Sequence, residues 1–384
     1  MRIALLPSAF APAVGGVEEL TARLARQLIE TGDEVEVWTI RHPAGLAATE
    51  PIDGITVRRF ELPLPRLSGP SLVGFPLARR RALRSLLAAA ADFEPEVLHV
   101  QCFSANGIYA AWLARRLGVP LIVTLQGETV MDDHDIYERS LTLRLGLRSA
   151  LRAAAAVTGC SQFVLADAES RFGLPMGRGQ VIPNGVDLDE GDEPEPFELP
   201  FDRFVLGVGR IVEKKGFDLL VDAFATVADR HPDVGLVIGG DGPQRAALVE
   251  RAAEMGLEER VAFPGLLSRA EVAWAMGAAE LFVLPSRVEP FGIVVLEALR
   301  AGCPVLVSSR GGATEIVRSE PEGLVVDPAD ASAFAAALDR LLGDASLRLR
   351  LSESGPLRAS DFAWPAIAER YRGLYRAARR DSEF

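Results

Sequence analysis

The feature that most constrains this chain is a twofold alternation of short apolar runs with longer Ala/Leu/Arg-rich stretches. In the first half the runs are Arg2 to Leu6, Glu34 to Ile40, Glu96 to Val100 and Pro120 to Leu125. In the second they are Phe204 to Val208, Val234 to Ile238, Val261 to Phe263, Leu281 to Leu284, Val305 to Val307 and Leu324 to Val326. Short runs separated by helical patterns are the mark of repeated βα units. Several runs are apolar at consecutive positions, as a strand must be when helices cover both faces of a parallel sheet. The expected fold class is α/β, with two doubly wound parallel sheets.

A chain of 384 residues suits two domains, and an apolar content of 49% can fill two cores. Between the two series, Val186 to Asp202 contains GDEPEPFELP, whose prolines and acids neither continue a helix nor bury much surface. Residues 1–186 read as an N-terminal domain, 187–202 as a linker and 203–365 as a C-terminal domain. The helical pattern after Pro365 predicts a last helix over 366–384 that crosses back onto the N-terminal domain.

The chain carries 41 Lys and Arg against 53 Asp and Glu, a formal charge of −12. That field repels a phosphate backbone and excludes a general nucleic-acid binder, so any phosphate site must be local. Cys102, Cys160 and Cys303 are far apart without CxxC spacing, which suggests neither a disulfide framework nor a thiolate metal site and fits a reducing cytoplasm. The first apolar run stops at Pro7, too short for a secretory signal or a spanning helix. A cytoplasmic location is expected.

Open parallel sheets bind ligands at the carboxyl ends of their strands, where loops meet helix N-termini. After the first strand, Gly15 and Gly16 precede a helix; glycines there let backbone amides approach an anion, and serve equally as a tight strand-to-helix turn. In GVGRIVEKKGFDLL, Gly207 and Gly209 begin a dinucleotide fingerprint, but Val212 stands where the third glycine belongs. Arg210 and Lys215 instead bracket a short loop, where a forked donor and a point charge could grip a diphosphate.

PSRVEPFGIVVLEALRAGCPVL is the most informative segment. Glu289 and Glu297 are eight residues apart, with Pro290 and Gly292 marking a loop that becomes a helix near Phe291. Eight helical steps would separate the two acids by roughly 12 Å and about 80°; with the first steps in a loop, both can point into one cleft. The amides of Phe291, Gly292 and Ile293 are then free to meet an anion. Carboxylates beside a diphosphate repel it unless their lone pairs accept from hydroxyl groups, and a nucleotide sugar offers hydroxyls at both ends of its diphosphate.

The pair of acids around EPFGIVVLE, with GRIVEKKG, GGDGP, VAFPG and IPNGVD, resembles the retaining glycosyltransferases of family 4, over nearly the whole chain. The resemblance implies the GT-B fold: two facing Rossmann-like doubly wound parallel-sheet domains with an interdomain cleft, donor bound by the second and acceptor by the first. It implies that Glu289 contacts the donor sugar, Glu297 the ribose, and Arg210 and Lys215 the diphosphate, with Gly16 approaching the phosphates across the cleft. Gly242 of GGDGP and Leu266, beside backbone expected to read the base, complete the donor side. The donor is then a nucleotide diphosphate sugar, UDP-linked by preference and GDP-linked as the alternative, used as a co-substrate with no separate cofactor and no metal.

On the acceptor side the candidates are Gln126, Gly127 and His99. Many relatives have histidine at the position of Gln126; a neutral amide still hydrogen-bonds a sugar hydroxyl but cannot shuttle protons. His99, on a strand, reads first as a packed core residue. MDDHDIYE gathers Asp132, Asp133, His134 and Asp135, but adjacent residues rarely converge on one ion, and a mobile acceptor loop is the preferred reading. Arg79, Arg80, Arg81 and Arg84 could meet an anionic membrane, although consecutive arginines spread around a helix and suit a solvated face better.

The expected reaction is glycosyl transfer to an acceptor hydroxyl, with charge on the leaving phosphate met by Arg210, Lys215 and the helix amides. Two alternatives stand beside it: a nucleotide-sugar epimerase of the same architecture, and a non-catalytic nucleotide-sugar sensor.

Overall fold

A computed structural model describes residues 1–13, 15–65, 69–131, 136–188, 194–318 and 320–382. The chain divides into two units, Met1–Asn184 with Trp364–Phe384, and Gly185–Ala363.

The first unit begins with β1 (Arg2–Pro7), α1 (Gly16–Glu30) and β2 (Glu34–Ile40), followed by the hairpin β3 (Thr49–Ile52) and β4 (Ile55–Phe60). Helix α2 (Gly69–Phe93), β5 (Val97–Gln101), α3 (Ala105–Leu117) and β6 (Leu121–Leu125) continue the alternation. The rest of this stretch is α4 (Ile136–Arg139), α5 (Leu141–Ala153), β7 (Ala156–Gly159), α6 (Gln162–Phe172) and β8 (Gly179–Val181). The strands form one sheet in the order β3-β4-β2-β1-β5-β6-β7-β8. Strands β5 and β6 are buried at every residue, so both faces of the sheet are covered. One strand departs from the parallel pattern: β3 runs antiparallel to β4 through a tight turn at Asp53 and Gly54, both with positive φ.

The second unit contains β9 (Arg203–Val208), α7 (Phe217–Val227), β10 (Val234–Gly239), α8 (Arg245–Glu254), β11 (Val261–Gly265) and α9 (Arg269–Ala278). It continues with β12 (Leu281–Leu284), α10 (Ile293–Arg300), β13 (Val305–Ser308), α11 (Ala313–Ile316), β14 (Leu324–Val326), α12 (Ala331–Gly343) and α13 (Ala345–Ser360). Its sheet is parallel throughout, in the order β11-β10-β9-β12-β13-β14. Side chains of β9, β10 and β12 pack against α7 and α12 through Phe224, Val227, Phe334 and Leu338.

The segment read as a linker is attached to this second unit. The Asp187 carbonyl accepts from Arg300 at 2.9 Å, the Glu195 amide donates to Ala270, and Phe197 meets Trp274 edge to face. The last helix, α14 (Trp364–Ser382), belongs to the first unit. Asp33 holds it there, accepting from the amino terminus and from Arg372 at 2.8 Å each, and Arg379 pairs with Glu96 at 2.8 Å.

Candidate active site

In an open parallel sheet the loops of adjacent strands diverge where the strand order reverses, leaving a crevice at the carboxyl ends. In the second unit that point lies between β9 and β12. The loop after β9 carries Arg210 and Lys215; the loop after β12 carries Glu289.

These two loops are joined through their backbones. The Arg287 amide donates to the Lys214 carbonyl at 2.8 Å. Gly216, at φ +67, lies so close that a Cβ there would sit 2.2 Å from the Pro285 oxygen. The Arg287 guanidinium grips both oxygens of Asp218 at 2.6 Å. Burial pushes the Asp218 carboxyl up, but its hydrogen bonds to Arg287 outweigh this and leave it below the usual range.

The outcome is a direct ion pair. Lys215, at the end of the short 3-10 turn Glu213–Lys215, places Nζ 2.7 Å from Glu289 Oε2, and Ser286 Oγ donates to the same oxygen at 3.0 Å. Glu289 is only 5% exposed, so its charge depends on these partners. A third loop, after β13, holds the Glu289 main chain: its amide donates to the Arg310 carbonyl at 3.1 Å, and its carbonyl accepts from Gly312 at 2.8 Å. A Cβ on Gly311, at φ +131, would lie 2.0 Å from the Glu289 carbonyl oxygen. Three loops thus converge on one residue.

The other donor-side candidates surround this core in different ways. Helix α10 begins at Ile293 with Gly292 (φ +97) as its cap, which has no side chain to satisfy a first-turn amide. Phe291 is buried against Phe362, so only its main chain can meet a ligand. Glu297 is half-buried on α10 and Arg210 is exposed. Gly242 has a structural role of its own: at φ +156, a Cβ there would meet the Ile211 carbonyl oxygen at 2.4 Å. Leu266 is 79% exposed beyond β11.

In the first unit, Gly15 caps α1 in an extended conformation, and a Cβ added to Gly16 would touch nothing within 4 Å. Gln126 follows β6, and Gly127 takes φ +94. His99 is fully buried, with Nδ1 2.6 Å from Tyr375 Oη and Nε2 2.7 Å from Thr124 Oγ1. Burial lowers its pKa to about 3. This environment is that of a packed core histidine, which corrects its place among acceptor-side candidates: a ring closed in by protein on both nitrogens cannot touch a substrate.

The four arginines Arg79, Arg80, Arg81 and Arg84 are exposed on α2, and no helix among the described residues is long and apolar enough to cross a membrane. Asp132, Asp133, His134 and Asp135 lie outside the described residues. Among the described residues no group of three or more His, Cys, Asp or Glu is arranged to hold a metal.

Several residues at these sites escaped the sequence reading. Ser286 and the Gly311–Gly312 pair shape Glu289, and the pair, like Gly15 and Gly16, leads from a loop after a strand into a helix. Gln101 ends β5, and Glu128 accepts from the Phe103 and Gln126 amides at 2.6 and 2.7 Å. Burial pushes the Glu128 carboxyl up, against the lowering effect of those amides.

Two Rossmann-like units, the second with a cation and an acid at its switch point, are the arrangement that the resemblance to GT-B glycosyltransferases implies. Residues 192–358 match the model of glycosyl transferases group 1, and residues 14–190 that of glycosyltransferase family 4. The chain is 31% identical to D-inositol 3-phosphate glycosyltransferase of Frankia alni, over 95% of this chain and 94% of the relative. It is 30% identical to alpha-D-kanosaminyltransferase of Streptomyces kanamyceticus, over 73% of this chain and 76% of the relative. Among solved structures, sucrose-phosphate synthase of Thermosynechococcus elongatus superposes with a TM-score of 0.78 at 24% identity, covering 98% of both chains. Anabaena HepE, described in complex with UDP, superposes with a TM-score of 0.73 at 22% identity, covering 97% of this chain and 99% of its own. The chain belongs to the family 4 glycosyltransferases.

Proposed function

We propose that this glycosyltransferase moves a hexosyl group from a nucleotide diphosphate sugar to an acceptor hydroxyl with retention of anomeric configuration and without a metal. The observation that carries the reading is the Lys215–Glu289 pair at the switch point of the second sheet. An arriving diphosphate competes with Glu289 for Lys215, and the released carboxylate turns to the hydroxyls of the sugar. Arg210 and the first amides of α10 add positive potential where negative charge grows on the leaving phosphate. The leaving phosphate takes the proton of the entering hydroxyl, so the C–O bond to phosphate breaks as the C–O bond to the acceptor forms, both on one face of the sugar. Retention and this choice of face follow the family resemblance. Lys215 with Arg210 supplies the charge a metal would bring.

UDP is the first candidate nucleotide and GDP the second. Chains of the same fold described with UDP and UDP-glucose are in keeping with that order. A thermal-shift panel of UDP, GDP and ADP, followed by incubation of UDP-glucose or GDP-glucose with a panel of hydroxyl acceptors, tests the reading. Transfer with retained configuration in the presence of EDTA supports it. Interconverted donor sugar without transfer would indicate an epimerase, and binding without turnover a sensor.

A further inference from the structure

A continuous polar chain runs through the core of the first unit. Gln126 Nε2 donates to Gln101 Oε1 at 3.0 Å, and Gln101 Nε2 lies 3.2 Å from His99 Nε2. His99 Nδ1 then meets Tyr375 Oη on the C-terminal helix at 2.6 Å. Gln101 and His99 are 3% and 0% exposed. At the far end of the chain, Gln126 Oε1 is buried and has no hydrogen-bond partner.

The order of donors along this chain is not free. The Gln101 amide nitrogen only donates, so the His99 Nε2 it faces must accept, and the ring proton sits on Nδ1, donated to Tyr375 Oη. Thr124 Oγ1, 2.7 Å from the same Nε2, donates as well. With its nitrogen toward His99, Gln101 turns its oxygen to Gln126, which must answer with its own nitrogen. That leaves Gln126 Oε1 as an acceptor and nothing else. Moving the ring proton to Nε2 would flip both amides and present a donor instead.

We propose that Gln101 is a positioning residue: backed by His99 and Tyr375, it sets the polarity of Gln126 so that this side chain accepts a hydrogen bond from a substrate hydroxyl. The inference rests on the glycosyl-transfer reading for the hydroxyl, and on the polar chain alone for the polarity. Gln126 is half-buried and its amide is tethered through Nε2, which leaves Oε1 as the atom that can meet a ligand. An unsatisfied buried acceptor is costly, and the hydroxyl that meets it recovers that cost. The hydroxyl can belong to the donor hexose or to the acceptor.

Two readouts test the proposal. Long-range proton–nitrogen correlation on the full-length protein assigns the His99 tautomer, and exchange rates report the Gln126 side-chain amide. The expected result is a neutral Nδ1–H ring, with Gln126 amide protons that are protected in the wild type and unprotected in Gln101→Leu. An Nε2–H ring, or protection that survives Gln101→Leu, overturns the proposal whether or not transfer is found. Should Gln101→Leu not fold, Gln101→Met takes its place.

The second readout is kinetic, with the glucose donor that turns over. Gln126→Leu and Gln101→Leu are each expected to raise one KM about tenfold with kcat little changed, and the double variant to add nothing further. A raised KM for the donor assigns the hydroxyl to the hexose, and a raised KM for the acceptor assigns it there. Wild-type KM values for both substrates in a folded Gln101→Leu would overturn the positioning role. Absence of transfer in the wild type would instead overturn the proposed function and leave the tautomer result standing.

Discussion

Lys215 Nζ lies 2.7 Å from Glu289 Oε2, across the two loops that flank the reversal of strand order in the second sheet. The side chains are 15% and 6% exposed, so water screens the pair weakly, and each holds the other until something displaces one of them. A nucleotide diphosphate is such a competitor, because it brings more negative charge to Lys215 than one carboxylate does. The pair is therefore the resting arrangement of two groups whose tasks on the substrate differ, one meeting phosphate and the other hydroxyl.

Glu289→Gln separates those tasks. The amide keeps the shape and one acceptor oxygen but removes the charge, so hydroxyl recognition weakens while Lys215 becomes more available to phosphate. Transfer is expected to fall about 100-fold or more, the usual scale for a preorganised polar group at the reacting centre. The Kd for UDP, read by calorimetry, should stay the same or tighten slightly. Turnover at the wild-type rate would remove Glu289 from the reaction.

Lys215→Ala leaves a buried carboxylate with Ser286 as its remaining side-chain partner. The expected loss of stability is about 3 kcal/mol, because an uncompensated buried charge costs more than the pair contributes. Adding Glu289→Gln should recover much of that loss, a positive coupling in the double-mutant cycle. Lys215→Ala should also weaken UDP at least tenfold while changing uridine little. Equal losses for nucleoside and nucleotide would take Lys215 away from the diphosphate.

The groups in this pair could be named from the sequence, but the bond between them could not. Glycine, proline and strand signals put Lys215 and Glu289 on loops after strands, and the motif around Glu289 marked it for a sugar. Their meeting depends on β9 and β12 being neighbours, which is a property of strand order and not of local pattern. Gly311 is the same case, since its importance comes from the Glu289 carbonyl lying against it. Strands such as β5, β6 and β12, with continuous apolar runs, were legible because both faces are buried. Strand β3 was not, for it is a short edge strand containing Pro51 with no buried residue. His99 could not be placed by period alone, because its partner Tyr375 is 276 residues away on a helix that returns to the first unit.

The buried His99 gives stability a specific pH dependence. Burial lowers the folded-state pKa to about 3 from 6.5, so as pH falls below 6.5 the unfolded chain takes up a proton that the folded chain refuses. Between those values stability falls by about 1.4 kcal/mol per pH unit, or about 2 kcal/mol lost by pH 5. The stability is fully present above 6.5. Denaturation of wild type and His99→Gln at pH 5 and pH 7.5 isolates the effect, with the variant expected to lose about 2 kcal/mol less over that interval. Equal losses in the two proteins would mean that His99 is protonated in the folded state.

Gly16 and Gly311 look alike in sequence, each in a glycine pair at the entry to a helix that follows a strand, yet the space around them differs. A Cβ on Gly311 would lie 2.0 Å from the Glu289 carbonyl oxygen at φ +131, so Gly311→Ala must displace the loop that carries Glu289. It is expected to cost about 3 kcal/mol or more and to reduce transfer with it. Nothing in the chain lies within 4 Å of a Cβ on Gly16, the first residue of α1, where alanine is the better helix former. Gly16→Ala should therefore leave the melting transition unchanged or raise it slightly. Its effect on transfer then reports only on what the substrate needs. If the amides there approach a phosphate, as in the family this chain resembles, the added methyl group obstructs them and turnover falls tenfold or more in a protein of undiminished stability. Wild-type turnover in Gly16→Ala would show that the glycine serves the turn alone.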